Sequence, residues 1–194
     1  AGVELDLAGD ANDYVGKSMS GGRIVIAPPP GDAGDPVLAG NTVLYGATGG
    51  ELYVAGRAGE RFAVRNSGAV AVVEGAGDHA CEYMTQGTVV VLGPVGRNVG
   101  AGMTGGEVFV LDAEELLETR LNPQLVTAEP VARADAERLR ALVERHLRYT
   151  GSRRARELLE DWEGALAVFR RVAPHADVAR LRRSYEAGTG QKSA

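Results

Sequence analysis

The segment Thr85-Gln86-Gly87-Thr88-Val89-Val90-Val91 joins a small-residue turn to a short apolar run, and four other segments repeat this pattern. The other repeats are Ser20–Ile26, Thr48–Val54, Asn66–Val72 and Thr104–Val110. Their last turn glycines stand at positions 22, 50, 68, 87 and 106, so successive repeats are 28, 18, 19 and 19 residues apart. The first interval is longer because it contains the proline-rich loop Pro28–Pro36, which cannot form the interior of a strand.

This spacing predicts the architecture of residues 1–112. A β-hairpin repeat needs about 8–12 residues and a βαβ unit about 30, so a period of 18 or 19 residues fits neither. It matches one coil of a β-solenoid, in which short strands and corners wind around a core and stack on the next coil. We therefore expect a mainly β domain of four to five coils, and Val3–Leu7 has the pattern of a further strand with no preceding coil to cover it.

The composition changes near Asp112 and divides the sequence into two predicted parts. Residues 1–112 contain 23 of the 27 glycines, whereas residues 113–194 contain 15 of the 21 lysines and arginines. We expect residues 113–194 to form a helical extension that caps one end of the stack. The predicted helices are 113–121, started by Asp112, then 135–149, and a third from Ser152 through Phe169 that Pro174 stops. A last short helix around Val178 and Leu181 precedes a frayed end at Thr189–Ala194.

Composition and charge exclude several classes of protein. The only cysteine is Cys81, so the chain has no intrachain disulfide, zinc–cysteine cage or iron–sulfur cluster of its own. No apolar run approaches the ~20 residues of a membrane span, and residues 1–10 lack the basic start of a signal peptide, which predicts a cytoplasmic location and no membrane partner. The net charge is −5, and the arginines of the extension alternate with acidic residues, so nucleic acid is not an expected partner.

One short segment gathers groups that could carry chemistry. Asp78, His79, Cys81 and Glu82 combine acids, a base and a thiol. On a strand His79 and Cys81 would share one face, where they could act as base and nucleophile or as two metal ligands. The alternative is a buried cysteine beside a hydrogen-bonded corner histidine. We favour that alternative and predict no catalytic, cofactor-binding or metal site in this chain.

Two further motifs invite a functional interpretation. Gly100–Gly105 reads G-x-G-x-x-G, but a nucleotide site needs a helix after the loop, and the β-rich Glu107–Leu111 follows instead. We therefore interpret it as a repeat turn. A coil of 18 residues also suggests the left-handed solenoid of hexapeptide acyltransferases, but the apolar residues here cluster in runs such as Thr88–Leu92 and do not recur every six positions.

Longer strings resemble the C-terminal GXGXG domain of the large subunit of glutamate synthase. The strings that carry this resemblance are Gly9–Lys17, Ser20–Ile24, Gly40–Gly50, Gly59–Gly68, Val73–His79, Cys81–Thr85 and Gly102–Gly106. The resemblance covers about residues 5–112 and continues more loosely through the extension. It implies a single-stranded right-handed parallel β-helix within an enzyme that moves the amide nitrogen of glutamine onto 2-oxoglutarate.

The same resemblance implies partners, cofactors and a role. The family's enzyme uses FMN and an iron–sulfur cluster in its large subunit, with FAD and NAD(P)H in a partner subunit. Its β-helix holds the amidotransferase and synthase domains in position, and we expect this chain to bind those domains through flat strand faces while binding no cofactor itself. A related β-helix occurs in a scaffold subunit of formylmethanofuran dehydrogenase, so a stand-alone assembly module of another oxidoreductase is the alternative.

Overall fold

A computed structural model describes residues 2–31, 34–180 and 182. The predicted last helix is helical at residues 176–180, while its predicted apolar residue Leu181 and the predicted frayed end Thr189–Ala194 lie outside the described residues. The strands of the glycine-rich part are β1 (Glu4–Ala8), β2 (Ser20–Ala27), β3 (Val37–Ala39), β4 (Gly49–Ala58), β5 (Ser67–Ala76), β6 (Gln86–Val91) and β7 (Glu107–Leu111).

The glycine-rich part is a parallel β-solenoid, as the repeat predicts. All five apolar runs form strands, and β1 adds a sixth coil at Val3–Leu7. The strands pair in parallel in the order β1-β2-β4-β5-β6-β7, so each coil stacks on the next. The pairing of β4 with β5 shifts register between Val54 and Arg57. Beyond this shift the two strands form a second, shorter face of the solenoid, where β3 also pairs with β4.

The central residues of β4, β5, β6 and β7 are buried on both sides, which explains their continuous apolar runs, whereas β1 is exposed along its length. One column of the register, Ile24, Leu52, Ala71, Val89 and Val108, points into the solenoid. The neighbouring column, Val25, Tyr53, Val72, Val90 and Phe109, lies on the outer face and packs under the helices. The flat strand face predicted to bind other domains is therefore already covered along this column by the chain's own helices.

The side of the solenoid opposite this packing is built from turns. We call it the turn wall and define it as residues 13–18, 41–46, 60–65, 78–83 and 97–102. Every second residue in each segment has a positive φ, and eleven of these residues are not glycine. An L-residue in this conformation costs about 1–2 kcal/mol. Hydrogen bonds between coils hold the wall in place; for example, the Cys81 N–H donates to the Phe62 carbonyl at 2.7 Å and the His79 N–H to the Arg97 carbonyl at 2.8 Å.

The extension contains the predicted helices, including α2 over the predicted 135–149, but it also contains two strands that the sequence analysis did not predict. It contains α1 (Leu117–Arg120), β8 (Val126–Pro130), α2 (Arg133–Thr150), α3 (Arg153–Glu160), α4 (Trp162–Val168) and β9 (Phe169–Pro174). Strand β9 pairs antiparallel with β7, and β8 pairs antiparallel with β9, which covers the open edge of the last coil.

Two local causes explain the differences in the extension. The predicted helix from Ser152 to Phe169 breaks at Asp161, which departs from helical geometry (φ −123°, ψ 65°) and caps α4 by accepting a hydrogen bond from the Gly164 N–H. Phe169 instead begins β9, because the backbone N–H and C=O groups at the edge of β7 would remain unpaired if the helix continued. Ser152 caps α3 as predicted, and Gly151 ends α2 in the left-handed conformation (φ 68°).

Candidate functional site

In the turn wall, the side chains of Cys81 and His79, which were considered as nucleophile and base, lie on different sides of the backbone. The side chain of Cys81 points into the core and is fully buried, whereas the His79 side chain is one-third exposed. Residues 78–83 form left-handed turns and not a strand, so the two side chains do not share one face, and the arrangement agrees with the favoured alternative of a buried cysteine beside a hydrogen-bonded corner histidine. Burial raises the pKa of the Cys81 thiol to about 12, so the thiolate needed for attack or metal binding is disfavoured at neutral pH.

On the outer side of the wall, His79 belongs to a directional hydrogen-bond chain. The Asn122 side-chain amide donates to Asn98 Oδ1 at 2.7 Å, and Asn98 Nδ2 lies 3.0 Å from His79 Nδ1. Because the Asn98 oxygen already accepts, its amide nitrogen donates to His79, and a neutral His79 then carries its hydrogen on Nε2. Next to this chain, the Arg61 guanidinium donates to Glu82 Oε2 at 2.7 Å.

The corner acids hold successive coils together. Asp13 Oδ1 accepts from the Asn41 N–H at 2.7 Å, and one coil later Asn41 Oδ1 accepts from the Glu60 N–H at 2.8 Å. Asp78 repeats the pattern with the Arg97 N–H at 2.7 Å. The hydrogen bonds from Arg97, first from its backbone and then from its side chain, lower the pKa of Asp78. This column therefore uses its carboxylates and amides as structural acceptors.

The G-x-G-x-x-G segment is a repeat turn of the wall. Gly100 and Gly102 both have positive φ, and strand β7 follows the loop. No helix N-terminus is therefore available there to bind a phosphate. At Gly102 a Cβ would lie 2.4 Å from the ring of Tyr83, so glycine is needed for the close approach of this ring.

An iron–sulfur cluster and a dinucleotide bound at a glycine-rich loop do not fit the residues present. An iron–sulfur cluster needs several thiolates, whereas the chain supplies only Cys81, which lies inside the solenoid. Flavin and nicotinamide dinucleotides are commonly bound by a glycine-rich loop that opens a helix, and Gly100–Gly105 opens a strand. Within residues 2–31, 34–180 and 182, no three His, Cys, Asp or Glu side chains are placed to hold a metal ion.

Sequence reasoning missed a buried polar cluster between the solenoid and the extension. His146 on α2 is fully buried, and its Nε2 lies 3.2 Å from Glu74 Oε1 on β5. The hydroxyl of Ser152 donates to the same carboxylate oxygen, and the Arg154 Nε lies 3.9 Å from Glu74 Oε2. In sequence, the acidic Glu74 at the end of an otherwise apolar run was the available signal.

This cluster fastens the extension to the solenoid and does not have the geometry of a catalytic triad. Ser152 and His146 both contact Glu74, whereas a triad places the histidine between the hydroxyl and the acid. Burial of Glu74 acts to raise its pKa, but the hydrogen bonds from His146 and Ser152 and the charge of Arg154 outweigh this effect, so the pKa lies below 4.5.

The low pKa of Glu74 predicts how acid affects the protein. The ionised carboxylate stabilises the fold fully above the unfolded-state pKa of 4.5, and this contribution is lost as the pH falls through the lower folded-state pKa. We expect Glu74→Gln to be about 1–3 kcal/mol less stable at pH 7, because it removes hydrogen bonds to a charged group. Below pH 4.5 the difference between wild type and variant should shrink.

Urea unfolding at a series of pH values, followed by circular dichroism, measures this effect. The exposed residue Glu114 provides the control, since Glu114→Gln should leave both the stability at neutral pH and its acid dependence unchanged. A wild-type–variant difference that grows on acidification would contradict the assignment.

The remaining charged residues of the extension behave as a solvated, paired surface. Arg138 pairs with Glu107 and Asp135, Arg145 with Glu51, and Arg140 with Glu144. This confirms the interpretation of the arginine-rich stretches as ion-paired faces. In the part of the chain that the structure describes, no helix has the length and apolar character needed to cross a membrane.

Stacked parallel coils with a side-chain-filled interior and a covered outer face define the class: a β-solenoid domain with a mixed helix–strand extension. The chain belongs to the GXGXG motif family, which matches it over residues 1–175.

Relatives with high sequence identity are glutamate synthases. The chain is 53% identical over 180 residues to ferredoxin-dependent glutamate synthase 2 of Synechocystis, covering 91% of this chain and 12% of that protein. It is 51% identical over 195 residues to ferredoxin-dependent glutamate synthase of Pyropia yezoensis, covering 97% and 13%. It is 48% identical over 178 residues to the glutamate synthase [NADPH] large chain of Bacillus subtilis, covering 89% and 12%. These matches confirm the predicted resemblance, and the chain spans about an eighth of the length of these relatives.

Proposed function

We propose that this chain is the scaffold domain of a glutamate synthase and positions the domains that transfer the amide nitrogen of glutamine to 2-oxoglutarate. The observation that carries the proposal is the combination of about 50% identity to glutamate synthases with a rigid solenoid that uses its chemical groups structurally. Cys81 fills the core, Glu74 fastens the extension, and the corner acids join coils. The reacting groups then come from the remaining domains or subunits, together with the FMN, iron–sulfur cluster, FAD and NAD(P)H of the parent enzyme.

The open end of the solenoid supports contact with further protein. Leu5 and Leu7 of β1 are 55% and 41% exposed, Val3 just before the strand is 64% exposed, and among the described residues β1 pairs only with β2. An exposed apolar edge strand is a surface that proteins cover. We propose the other parts of the synthase as partners, and a cytoplasmic location remains a prediction.

The alternative, an assembly module of another oxidoreductase similar to the formylmethanofuran dehydrogenase subunit, predicts unrelated partners. The relatives described above are all glutamate synthases, which favours the first proposal. Co-purification from the native host distinguishes the two, because the partners are then either amidotransferase and FMN-binding parts or unrelated redox subunits.

Activity measurements test the absence of chemistry in this domain. The purified chain should form no glutamate from glutamine and 2-oxoglutarate and should bind no flavin. In the complete synthase, Cys81→Ser should leave kcat within about two-fold of wild type, whereas removal of a catalytic nucleophile costs orders of magnitude. Stoichiometric FMN on the isolated chain, or a thousand-fold loss in Cys81→Ser with an unchanged fold, would overturn the proposal.

A further inference from the structure

An open groove crosses one edge of the turn wall. It encloses about 580 Å³ and is lined by Tyr45, Gly46, Arg65, Ser67, Tyr83, Thr85, Gly102 and Thr104. The residues come from successive coils because the third left-handed position of each wall segment falls in one column, namely Ser18, Gly46, Arg65, Tyr83 and Gly102. The helices of the extension pack on the outer strand face and leave this column exposed.

Three side chains in this column, Ser18, Arg65 and Tyr83, are exposed on a left-handed backbone, and Arg65 and Tyr83 line the groove. Tyr83 (φ 54°) is 56% exposed, and Arg65 (φ 55°) is also exposed. At positions 46 and 102 the same column has glycine, which adopts this conformation without strain. The inner column differs, because its non-glycine residues, such as Leu44 and Cys81, are fully buried.

The charge of the groove selects the kind of partner. Arg65 makes no ion pair or side-chain hydrogen bond with the described residues, whereas the other arginines of the wall, Arg61 and Arg97, are paired with Glu82 and Asp78. The groove thus offers an unpaired guanidinium beside the rings of Tyr45 and Tyr83. A carboxylate is the natural partner of a guanidinium, and an apolar side chain is the natural neighbour of an exposed ring.

Nucleic acid also offers anions and flat rings, but the surrounding charge opposes it. Residues 1–112 contain six basic and thirteen acidic side chains, so a phosphate backbone would approach a net negative domain. A protein segment can present a single carboxylate without this penalty.

We propose that the groove formed by Tyr45, Arg65 and Tyr83 is a docking site for a protein segment from the rest of the synthase that presents a single carboxylate to Arg65 and an apolar side chain to the tyrosine rings. This proposal rests on the proposed function, since it takes the partner from the same enzyme. The sequence analysis expected docking on a flat strand face, which the helices cover; the surface proposed here lies on the turn wall.

Hydroxyl-radical footprinting of the complete synthase and of the isolated chain tests whether the groove is covered. Tyr14 is the matched internal control, because it has the same left-handed backbone (φ 63°), is 53% exposed and lies outside the groove. Oxidation of Tyr83 should fall about ten-fold or more in the complete enzyme relative to the isolated chain, normalised to Tyr14, as expected for burial in a contact. An active synthase with equally oxidised Tyr83 would overturn this inference and leave the scaffold proposal intact.

Zero-length cross-linking tests the chemistry of the partner. With a carbodiimide, the Arg65→Lys variant of the complete synthase should form an amide bond between position 65 and a carboxylate outside residues 1–194, which peptide mass spectrometry identifies. Arg57→Lys is the control, since Arg57 is also exposed and has no ion pair among the described residues, but lies in a different groove. A cross-link to an acid within residues 183–194, with protection of Tyr83 already present in the isolated chain, would assign the groove to the chain's own C-terminus and overturn the proposal. The absence of any cross-link at position 65 would also overturn it.

Discussion

Replacing Phe109 by alanine is expected to lower the free energy of unfolding by about 3–5 kcal/mol, the usual cost of removing a fully buried phenylalanine. Phe109 is completely buried on the outer face of β7, in the cluster that joins the solenoid to the helices. Its strand lies between parallel β6 and antiparallel β9, so the neighbouring backbone cannot collapse easily into the cavity.

Urea unfolding monitored by circular dichroism measures the effect of Phe109→Ala. Leu7→Ala is the control, because Leu7 is 41% exposed on β1 and its truncation should change the stability by less than about 0.5 kcal/mol. If Phe109→Ala costs less than about 1 kcal/mol, the helical layer does not pack on the solenoid as the structure shows.

The second large effect is expected at Gly68, where two coils approach each other too closely for a side chain. A Cβ at this position would lie 2.3 Å from the carbonyl oxygen and 2.9 Å from the carbonyl carbon of Thr48 in the preceding coil. Both atoms belong to the backbone, and the adjacent hydrogen bond from the Ser67 N–H to the Ala47 carbonyl, 2.8 Å long, keeps the two coils close together there. Gly68→Ala must therefore separate the coils, at a cost of about 2–3 kcal/mol.

A second glycine distinguishes this steric effect from backbone strain. Gly46 has a positive φ (+64°), but a Cβ there would have no atom within 4 Å. Gly46→Ala should cost only the strain of a left-handed alanine, about 1 kcal/mol. Equal losses in the two variants, measured by the same urea titration, would show that conformational strain and not coil spacing selects glycine at the corners.

Much of the architecture could be predicted from the order of the residues. The 18–19-residue period, with an apolar run after each turn, predicted the parallel solenoid, because one complete coil has this length whereas a hairpin is shorter and a βαβ unit is longer. The extra strand at Val3–Leu7 and the Ser152 cap also followed from local pattern. The interpretation of Gly100–Gly105 as a turn agrees with the structure because the residues that follow have β propensity.

Long-range contacts explain what the sequence analysis did not find. Phe169 is the last residue of a predicted apolar helical stripe, yet it begins β9 because β7, far earlier in the chain, offers an unpaired edge. Glu74 and His146 lie 72 residues apart and only become partners when α2 packs on the solenoid. The left-handed conformations at His79, Cys81 and Tyr83 had no local signal in the sequence, and the stacking of five similar turns holds them in place.

The sequence by itself therefore determined the solenoid, its repeat and its family, since these depend on periodicity and on local turn chemistry. The tertiary structure decided which surfaces remain available, because burial is a property of the whole assembly of elements. It turned Cys81 inward, covered the outer strand face with helices and left Arg65 and Tyr83 exposed on the turn wall. The spacing along the chain shows which residues recur from coil to coil, but the neighbours that each of these residues contacts depend on tertiary packing.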